Sequence, residues 1–392
     1  MTTLLLCLLL LLWALVVYHH VGYPLLITYL SRPTTLSAHQ AEEAQALPHI
    51  VMLVPAYNEA QVIADKVRNT ASLDYPSTHF TLIIACDGCT DETANIARVT
   101  ATEPENRGLN IEVIEFKRNR GKVAVLNDMI SRIDQELIAL SDTSALLSMD
   151  GLQIAARHFN HAPVGVVAAT YRLLTPGSAG ESKYWQYQTR ILEAEAHLGS
   201  PIGVHGALYF FRRRLFKPLA TDTINDDFVL PMSIVAKGHQ AVYETDIIAL
   251  ELEKASDSMD QRRRVRISAG NLQQLLRLPE LLNPRLGGIA FAFFSGKALR
   301  ALMPMLLLIQ LLLCGWLALS YDVLMVISAF QIVIVIAAYS LPRIPGIQLP
   351  NMTTTLFYLI NGYRCGLIGC LRYIAGLERG HWKPVSTKEI SS

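Results

Sequence analysis

The polar middle of this chain holds carboxylates where they are able to do chemistry. Asp87 and Asp142 each follow an apolar run, and Asp226 and Asp227 stand side by side further on. Between the first two lie Lys122 and the basic stretch KRNRGK (117–122). An aspartate in a strand-to-helix loop often does no more than cap the next helix. Two acids at matching strand ends beside a basic segment instead suit a nucleoside diphosphate carrier. No Gly-x-Gly-x-x-Gly and no Gly-x-x-x-x-Gly-Lys-Ser/Thr occurs, which argues against dinucleotide binding and Walker-type phosphate binding. Asp87 is flanked by Cys86 and Cys89, but a zinc or redox pair needs more than this spacing. No second cysteine pair follows, and the two thiols read as packing. Cys7, Cys314, Cys365 and Cys370 fall in membrane-type segments, where cysteine behaves as a small hydrophobe.

These residues need a frame to bring them together, and the region from Pro48 to about Ala169 supplies one by alternation. HIVMLV, FTLIIA, IEVIEF, ELIALS and VGVVAAT read as buried strands. NEAQVIADKVRNTASL, DETANIARVT, GKVAVLNDMISRI and GLQIAARHF read as the helices between them. Strands alternating with helices predict βαβ units and a mostly parallel sheet. Ligands of such sheets bind at the carboxyl ends of the strands. Residues 55–59, 87–88 and 142–144 therefore share one edge.

The chain has 392 residues, 51% hydrophobic and 17% charged, with mean hydropathy +0.30. That is too apolar for an ordinary soluble enzyme. A formal net charge of +1 gives no footing for nucleic acid. The apolar residues concentrate at the two ends. Leu4 to Leu30 reads as a retained membrane anchor, since MTT lacks the basic start of a cleaved signal peptide. Ala301–Ser320 and Val323–Leu341 read as a transmembrane hairpin. Arginines and lysines crowd the segment before it, from Arg262 to Arg300, so that segment and the polar middle are expected in the cytoplasm. Leu356 to Leu377 carries Arg364 and Arg372 and reads either as a further span or as an interfacial helix. KYWQYQTRILEAEAHLG (183–199) reads either as an interfacial helix with Trp185 and Tyr187 at headgroup depth, or as a domain-packing helix.

Seven segments in order carry a resemblance: VPAYNEA (54–60), ACDGCTDET (85–93), RGKVAVLN (120–127), LSDTSALL (140–147), GVHGALYFFRR (203–213), NDDFVLPMSIVAKGHQAVY (225–243) and QRRRVRISAGNLQQLL (261–276). Together they resemble the membrane-embedded family 2 glycosyltransferases, inverting enzymes with a GT-A fold that include cellulose, hyaluronan and poly-N-acetylglucosamine synthases. The resemblance implies an α/β, Rossmann-like, mostly parallel catalytic domain with N- and C-terminal transmembrane helices and interfacial helices. It divides the chain into an anchor (1–31), a catalytic domain (45–260), amphipathic interfacial helices (261–300), a transmembrane hairpin (301–341), a further transmembrane or interfacial helix (355–377) and a cytoplasmic tail (378–392).

By the same resemblance, Pro55, Tyr57, Glu59, Asp87, Lys122 and Asp142 bind a UDP-sugar donor, UDP-GlcNAc or UDP-glucose, with Asp87 at its uracil or ribose end. Asp227 is the catalytic base. Asp226, His205, Gly206, Gln261 and Arg264 lie on the acceptor side. Asp142 and Ser144 hold Mg²⁺ or Mn²⁺, with Ser144 standing where relatives carry a second aspartate. Val265 replaces the tryptophan that stacks on the acceptor sugar in processive relatives. HWKPVSTKE (381–389), with Trp382, resembles a terminal element of some relatives. The implied partners are a glycan or lipid-linked acceptor, the bilayer of a bacterial-type inner membrane, and a second copy or export partner if a polymer is secreted. Transfer to a growing β-linked polysaccharide, single transfer to a lipid-linked acceptor, and a catalytically silent nucleotide-sugar-binding scaffold are the readings left by the sequence.

Overall fold

A computed structural model describes residues 2–31, 47–175, 179–252, 257–341, 344 and 351–378. The tail motif around Trp382 lies outside the described residues. Contacts group the chain into two units, a set of apolar helices and an α/β unit.

The N-terminal apolar run forms α1 (Thr2–Val17) and α2 (Tyr23–Leu30), joined by a π-helical turn at Tyr18–Gly22. Polar residues placed in an apolar helix must find partners. His20 meets the Tyr363 hydroxyl at 2.6 Å, and the Tyr18 hydroxyl meets Ser295 Oγ at 2.7 Å.

The α/β unit begins with β1 (Ile50–Ala56), α3 (Ile63–Ala71), β2 (Phe80–Asp87), α4 (Thr93–Ala101), β3 (Asn110–Phe116), α5 (Lys122–Arg132) and β4 (Leu137–Leu140). β1, β2 and β4 are buried along their whole length, as the continuous apolar runs of a parallel sheet require. α3 starts later than the apolar periodicity suggests. Asn58 adopts φ 56° and its side-chain oxygen accepts from the Thr90 N–H at 2.8 Å, so residues 58–62 form a turn before the helix.

The chain continues through β5 (Ala145–Leu147), α6 (Gly151–His158), β6 (Val164–Leu173), α7 (Ala179–His197), β7 (Tyr209–Arg212), α8 (Asp226–Val235) and β8 (Gln240–Glu251). The eight strands run in the order β3-β2-β1-β4-β7-β6-β8-β5. β3, β2, β1 and β4 are parallel, but β7 is antiparallel to both β4 and β6, and β5 is antiparallel to β8. The sheet is therefore more mixed than the alternation of the first half predicts. The reversal matters for function: Leu140, the last residue of β4, pairs with Tyr209, the first of β7. The loop entering β7 thus lies beside the loop leaving β4.

The helical unit is completed by α9 (Asp257–Arg277), α10 (Gly288–Ala292), α11 (Leu299–Leu317), α12 (Asp322–Ser340) and α13 (Asn351–Ile374). A π-helical segment, Phe293–Ala298, joins α10 to α11, so Lys297 and Arg300 sit inside one continuous helical run. Among the described residues, three helices are long and apolar enough to cross a membrane: Thr2–Leu30, Gly288–Leu317 and Asp322–Ser340. α13 lies along the arginine-rich α9. A Cβ on Gly369 would stand 2.4 Å from the Val265 carbonyl oxygen, and one on Gly366 2.7 Å from the Pro304 ring. Small residues let these backbones approach closely.

Two features of the α/β unit fix the loops at its edge. Gly88 (φ +63°) abuts the main chain of the loop before α5, and a Cβ there would stand 2.3 Å from Asn119 N and 2.4 Å from Arg118 C. Lys66 of α3 is fully buried, and its amine donates to Ser141 Oγ at 2.6 Å and to the Ala145 carbonyl at 2.7 Å. It thereby spans the turn that carries Asp142. Burial lowers Lys66 to about 7, against the upward pull of Asp142 and Glu251.

Gly88→Ala is expected to lose roughly 2–4 kcal/mol of stability, since both the left-handed φ and the backbone overlap oppose it; thermal unfolding of the purified protein checks this. An unfolded lysine titrates near ~10.4, well above folded Lys66. Between the two values the unfolded chain binds more protons, so stability rises with pH and the penalty is fully present below pH ~7. Unfolding midpoints measured from pH 6.5 to 10 should show this rise in wild type and a flatter profile in Lys66→Met.

Candidate active site

Three carboxylates and one ammonium gather at the edge formed by β4, β7, α5 and α8. Lys122, the first residue of α5, donates to Asp142 Oδ1 at 2.9 Å and lies 3.4 Å from Asp226 Oδ2. Burial opposes a charge on this lysine, but Asp142, Asp226 and Asp227 together raise it above the usual lysine range. It is therefore a permanent cation. Asn225 takes the cap position of α8, so Asp226 and Asp227 are the first two helical residues, where negative charge also suits the helix dipole.

Gly206 stands at the centre. A Cβ on it would meet Asp142 Oδ2 at 3.1 Å and Asp227 Oδ2 at 3.4 Å. The missing side chain leaves a gap that two carboxylate oxygens face from different elements. Pro55, Lys122, Asp142, Gly206, Tyr209 and Asp226, among others, line a narrow recess here, too tight in the ligand-free protein to admit a water molecule.

The sequence-derived residues divide by location. Pro55, Lys122, Asp142, Gly206 and Asp226 line one recess, and Asp227 faces the same gap. Asp87 is fully buried; its carboxylate accepts the Arg120 N–H at 3.0 Å and the Gly121 N–H at 2.8 Å. Any part it takes in ligand binding passes through this loop, which launches α5 and aims Lys122. Tyr57 and Glu59 follow β1 in the turn, where the Glu59 N–H donates to Thr93 Oγ1 at 2.8 Å. Ser144 shares the turn after Asp142, and its carbonyl accepts from the Leu252 N–H. Among the described residues, no group of three or more His, Cys, Asp or Glu side chains is arranged to hold a metal ion. Gln261 and Arg264 belong to α9 in the helical unit; Gln261 is exposed, and the Arg264 guanidinium covers the Tyr358 ring at 4.1 Å.

His205 accepts the Ala207 N–H on Nδ1 at 3.1 Å, so the neutral ring carries its proton on Nε2. It stacks on Tyr171 with centroids 3.7 Å apart, and Trp185 closes the group at 4.5 Å from Tyr171 and 5.1 Å from His205. Trp185 thus packs within the α/β unit, which decides between the two readings of residues 183–199 for this side chain. Cys86 is buried, and the Cys89 thiol points to the Ala56 carbonyl at 3.6 Å.

Sequence reasoning passed over Lys66, and it placed Tyr209 only within the stretch 205–209 of a motif that resembles the family's sugar-pocket segment. For Lys66 a signal existed: it falls with Ile63, Val67 and Thr70 on the buried stripe of α3, at helical spacing. For Tyr209 the motif gave the place but not the geometry, because four residues of strand carry too little periodicity to show what the side chain faces.

Residues 48–270 match the family model described as glycosyltransferase like family 2. A poly-beta-1,6-N-acetyl-D-glucosamine synthase of Staphylococcus epidermidis is 24% identical over 254 residues, which cover 63% of this chain and 60% of that protein. The synthase of the same name from Staphylococcus aureus strain COL is 23% identical over 239 residues, covering 59% of this chain and 56% of that one. The chain thus spans about 60% of the length of the former relative. Among solved structures, the mannosyltransferase PcManGT from Pyrobaculum calidifontis, in complex with GDP-Man and Mn²⁺, superposes with TM-score 0.66 at 22% identity. That likeness covers 92% of this chain and 99% of the other, and gives the α/β unit its GT-A fold. With a family match over more than half its length, the chain belongs to glycosyltransferase family 2, and it is a glycosyltransferase with helices able to span a membrane.

Proposed function

We propose that this protein transfers a sugar from UDP-GlcNAc or UDP-glucose, with inversion, onto a growing β-linked polysaccharide at the cytoplasmic face of a bacterial inner membrane. The observation that carries this reading is the convergence of Asp142, Asp227 and Lys122 on the gap at Gly206. An inverting transfer is one in-line displacement at the anomeric carbon. The acceptor hydroxyl must lose its proton as it attacks, and a carboxylate within hydrogen-bond reach can take it. Asp227 suits this role better than Asp226, because Lys122 engages Asp226 while an oxygen of Asp227 faces the gap.

As the bond to the sugar breaks, charge builds on the departing diphosphate. Lys122 and the amino end of α5 stand ready to offset it. The recess takes the diphosphate–sugar junction, and the nucleoside extends past Pro55 and Tyr57 along the strand ends. Asp87 contributes by holding the 120–121 loop. The donor chemistry suits a hard divalent cation: Asp142 supplies one carboxylate, and Mg²⁺ or Mn²⁺ commonly completes its shell with substrate phosphates and water. Ser144 stands in the same turn as a weaker oxygen ligand. Such an ion, when bound, adds positive charge against the leaving group. The GDP-Man and Mn²⁺ bound by the mannosyltransferase, and the product named for the staphylococcal synthases, support a nucleotide sugar, a divalent cation and a polymeric product.

The resemblance of their motifs assigns His205, Gly206, Gln261 and Arg264 to the acceptor side. The arginine-rich segment 262–300 supports a cytoplasmic orientation. Three helices among the described residues are able to span, with residues 356–377 a candidate fourth segment, so a polymer would need a second copy or an export partner for its exit. Single transfer to a lipid-linked acceptor is the second reading. Val265 favours it: this position offers no aromatic face, and its carbonyl is packed against Gly369 of α13.

Purified protein in nanodiscs, given a panel of UDP-sugars with Mg²⁺ or Mn²⁺, is expected to release UDP with UDP-GlcNAc or UDP-glucose. Asp227→Asn should lower kcat by about 10²–10⁴-fold. Radiolabelled product should run as a ladder on a gel; one lipid-soluble spot selects the second reading. Wild type that releases UDP from no donor would sink the assignment.

A further inference from the structure

Tyr209 opens β7 in the middle of the sheet, paired with Leu140 of β4 on one side and Ala168 of β6 on the other. It is 1% exposed. Its hydroxyl is buried and has no hydrogen-bond partner among the described residues. Buried hydroxyls are almost always paired, and one left unpaired costs stability. The next two residues, Phe210 and Phe211, are also fully buried, so the same strand uses phenylalanine where only bulk is needed. A phenylalanine at 209 would fill the sheet equally well without that cost.

Tyr209 is one of the residues that line the recess holding Lys122, Asp142 and Asp226. Burial, with Asp226, Asp227 and Asp142 nearby, pushes the phenol well above its usual range. It therefore keeps its proton and acts as a neutral donor. Among these residues a neutral donor serves a ligand oxygen without adding to the local charge.

We infer that Tyr209 is a donor-site residue, whose hydroxyl donates a hydrogen bond to an oxygen in the diphosphate–sugar part of the bound nucleotide sugar. The inference rests on the reading of this recess as the donor site. The hydroxyl stays unsatisfied in the empty protein and is satisfied on binding, so its cost to the fold becomes affinity for the ligand. A site built to bond a particular ligand oxygen also discriminates against ligands that lack it.

Tyr209→Phe tests this by removing one oxygen and no carbon. Affinities for UDP and for the UDP-sugar that wild type turns over are measured by titration calorimetry with Mn²⁺ present. The unfolding midpoint of the ligand-free protein is measured alongside. Y209F should bind the UDP-sugar about ten-fold more weakly, while its ligand-free midpoint stays level or rises. Weakened binding of both ligands puts the partner oxygen on the diphosphate; weakened binding of the UDP-sugar alone puts it on the sugar. Unchanged affinity overturns the inference. So does a Y209F protein that fails to fold or melts lower with unchanged affinity, because the hydroxyl would then hold a structural water. If wild type binds no nucleotide, it is the reading of the recess that fails, and Tyr209 falls with it.

Discussion

Like charges gather only where something holds them. Asp142, Asp226 and Asp227 come from a loop and a helix start far apart in sequence, and one ammonium group sits among them. Lys122 bonds Asp142, lies close to Asp226 and feels Asp227, and their combined pull keeps it charged despite burial. Without that cation the three carboxylates would repel one another at close range. The lysine depends in turn on Asp87, whose buried carboxylate fixes the loop from which α5 departs. The chain of dependence runs from a strand end through two backbone amides to a helix start, and from there to the site.

The sheet provides the other half of the constraint. A wholly parallel sheet would put the start of every strand at the edge away from the ligands. Because β7 runs backwards beside β4, its entry loop arrives at the ligand edge, and Gly206 lies against Asp142. Beneath this edge, Lys66 ties the turn after β4 from below, through a side-chain hydroxyl and a carbonyl. The position of Asp142 is thus set from both sides of the sheet.

How far the sequence could be read follows from the range over which its signals act. Strands β1 to β4 and their helices were legible, because each is a run of apolar residues long enough to show its period. The short β7 and the antiparallel pairing of β5 with β8 were not, since three or four residues carry no period and pairing direction is a tertiary property. Asp87 and Asp142 were legible by position relative to strands, Asp226 and Asp227 by the resemblance of their motif. Which acid the lysine would engage was not, because Asp226 and Asp227 differ only by a helical rotation. Trp185 illustrates the same limit: an aromatic near a membrane segment fits a headgroup or a core equally well until Tyr171 and His205 are seen against it. That the Tyr209 hydroxyl lacks a partner was invisible, because an orphan hydroxyl is defined by what surrounds it.

The Asp87 anchor takes its hydrogen bonds from the main-chain N–H groups of Arg120 and Gly121, with the Arg120 side chain no nearer than 4.0 Å. Amino acids at 118 to 120 can therefore drift without loosening it, and proline is the residue that position 120 cannot accept, for want of a hydrogen to give. Loops of this kind let a lineage change the charge around its nucleotide while the helix behind stays put. Divergence in those residues between two such proteins would then record a retuned preference rather than a lost site.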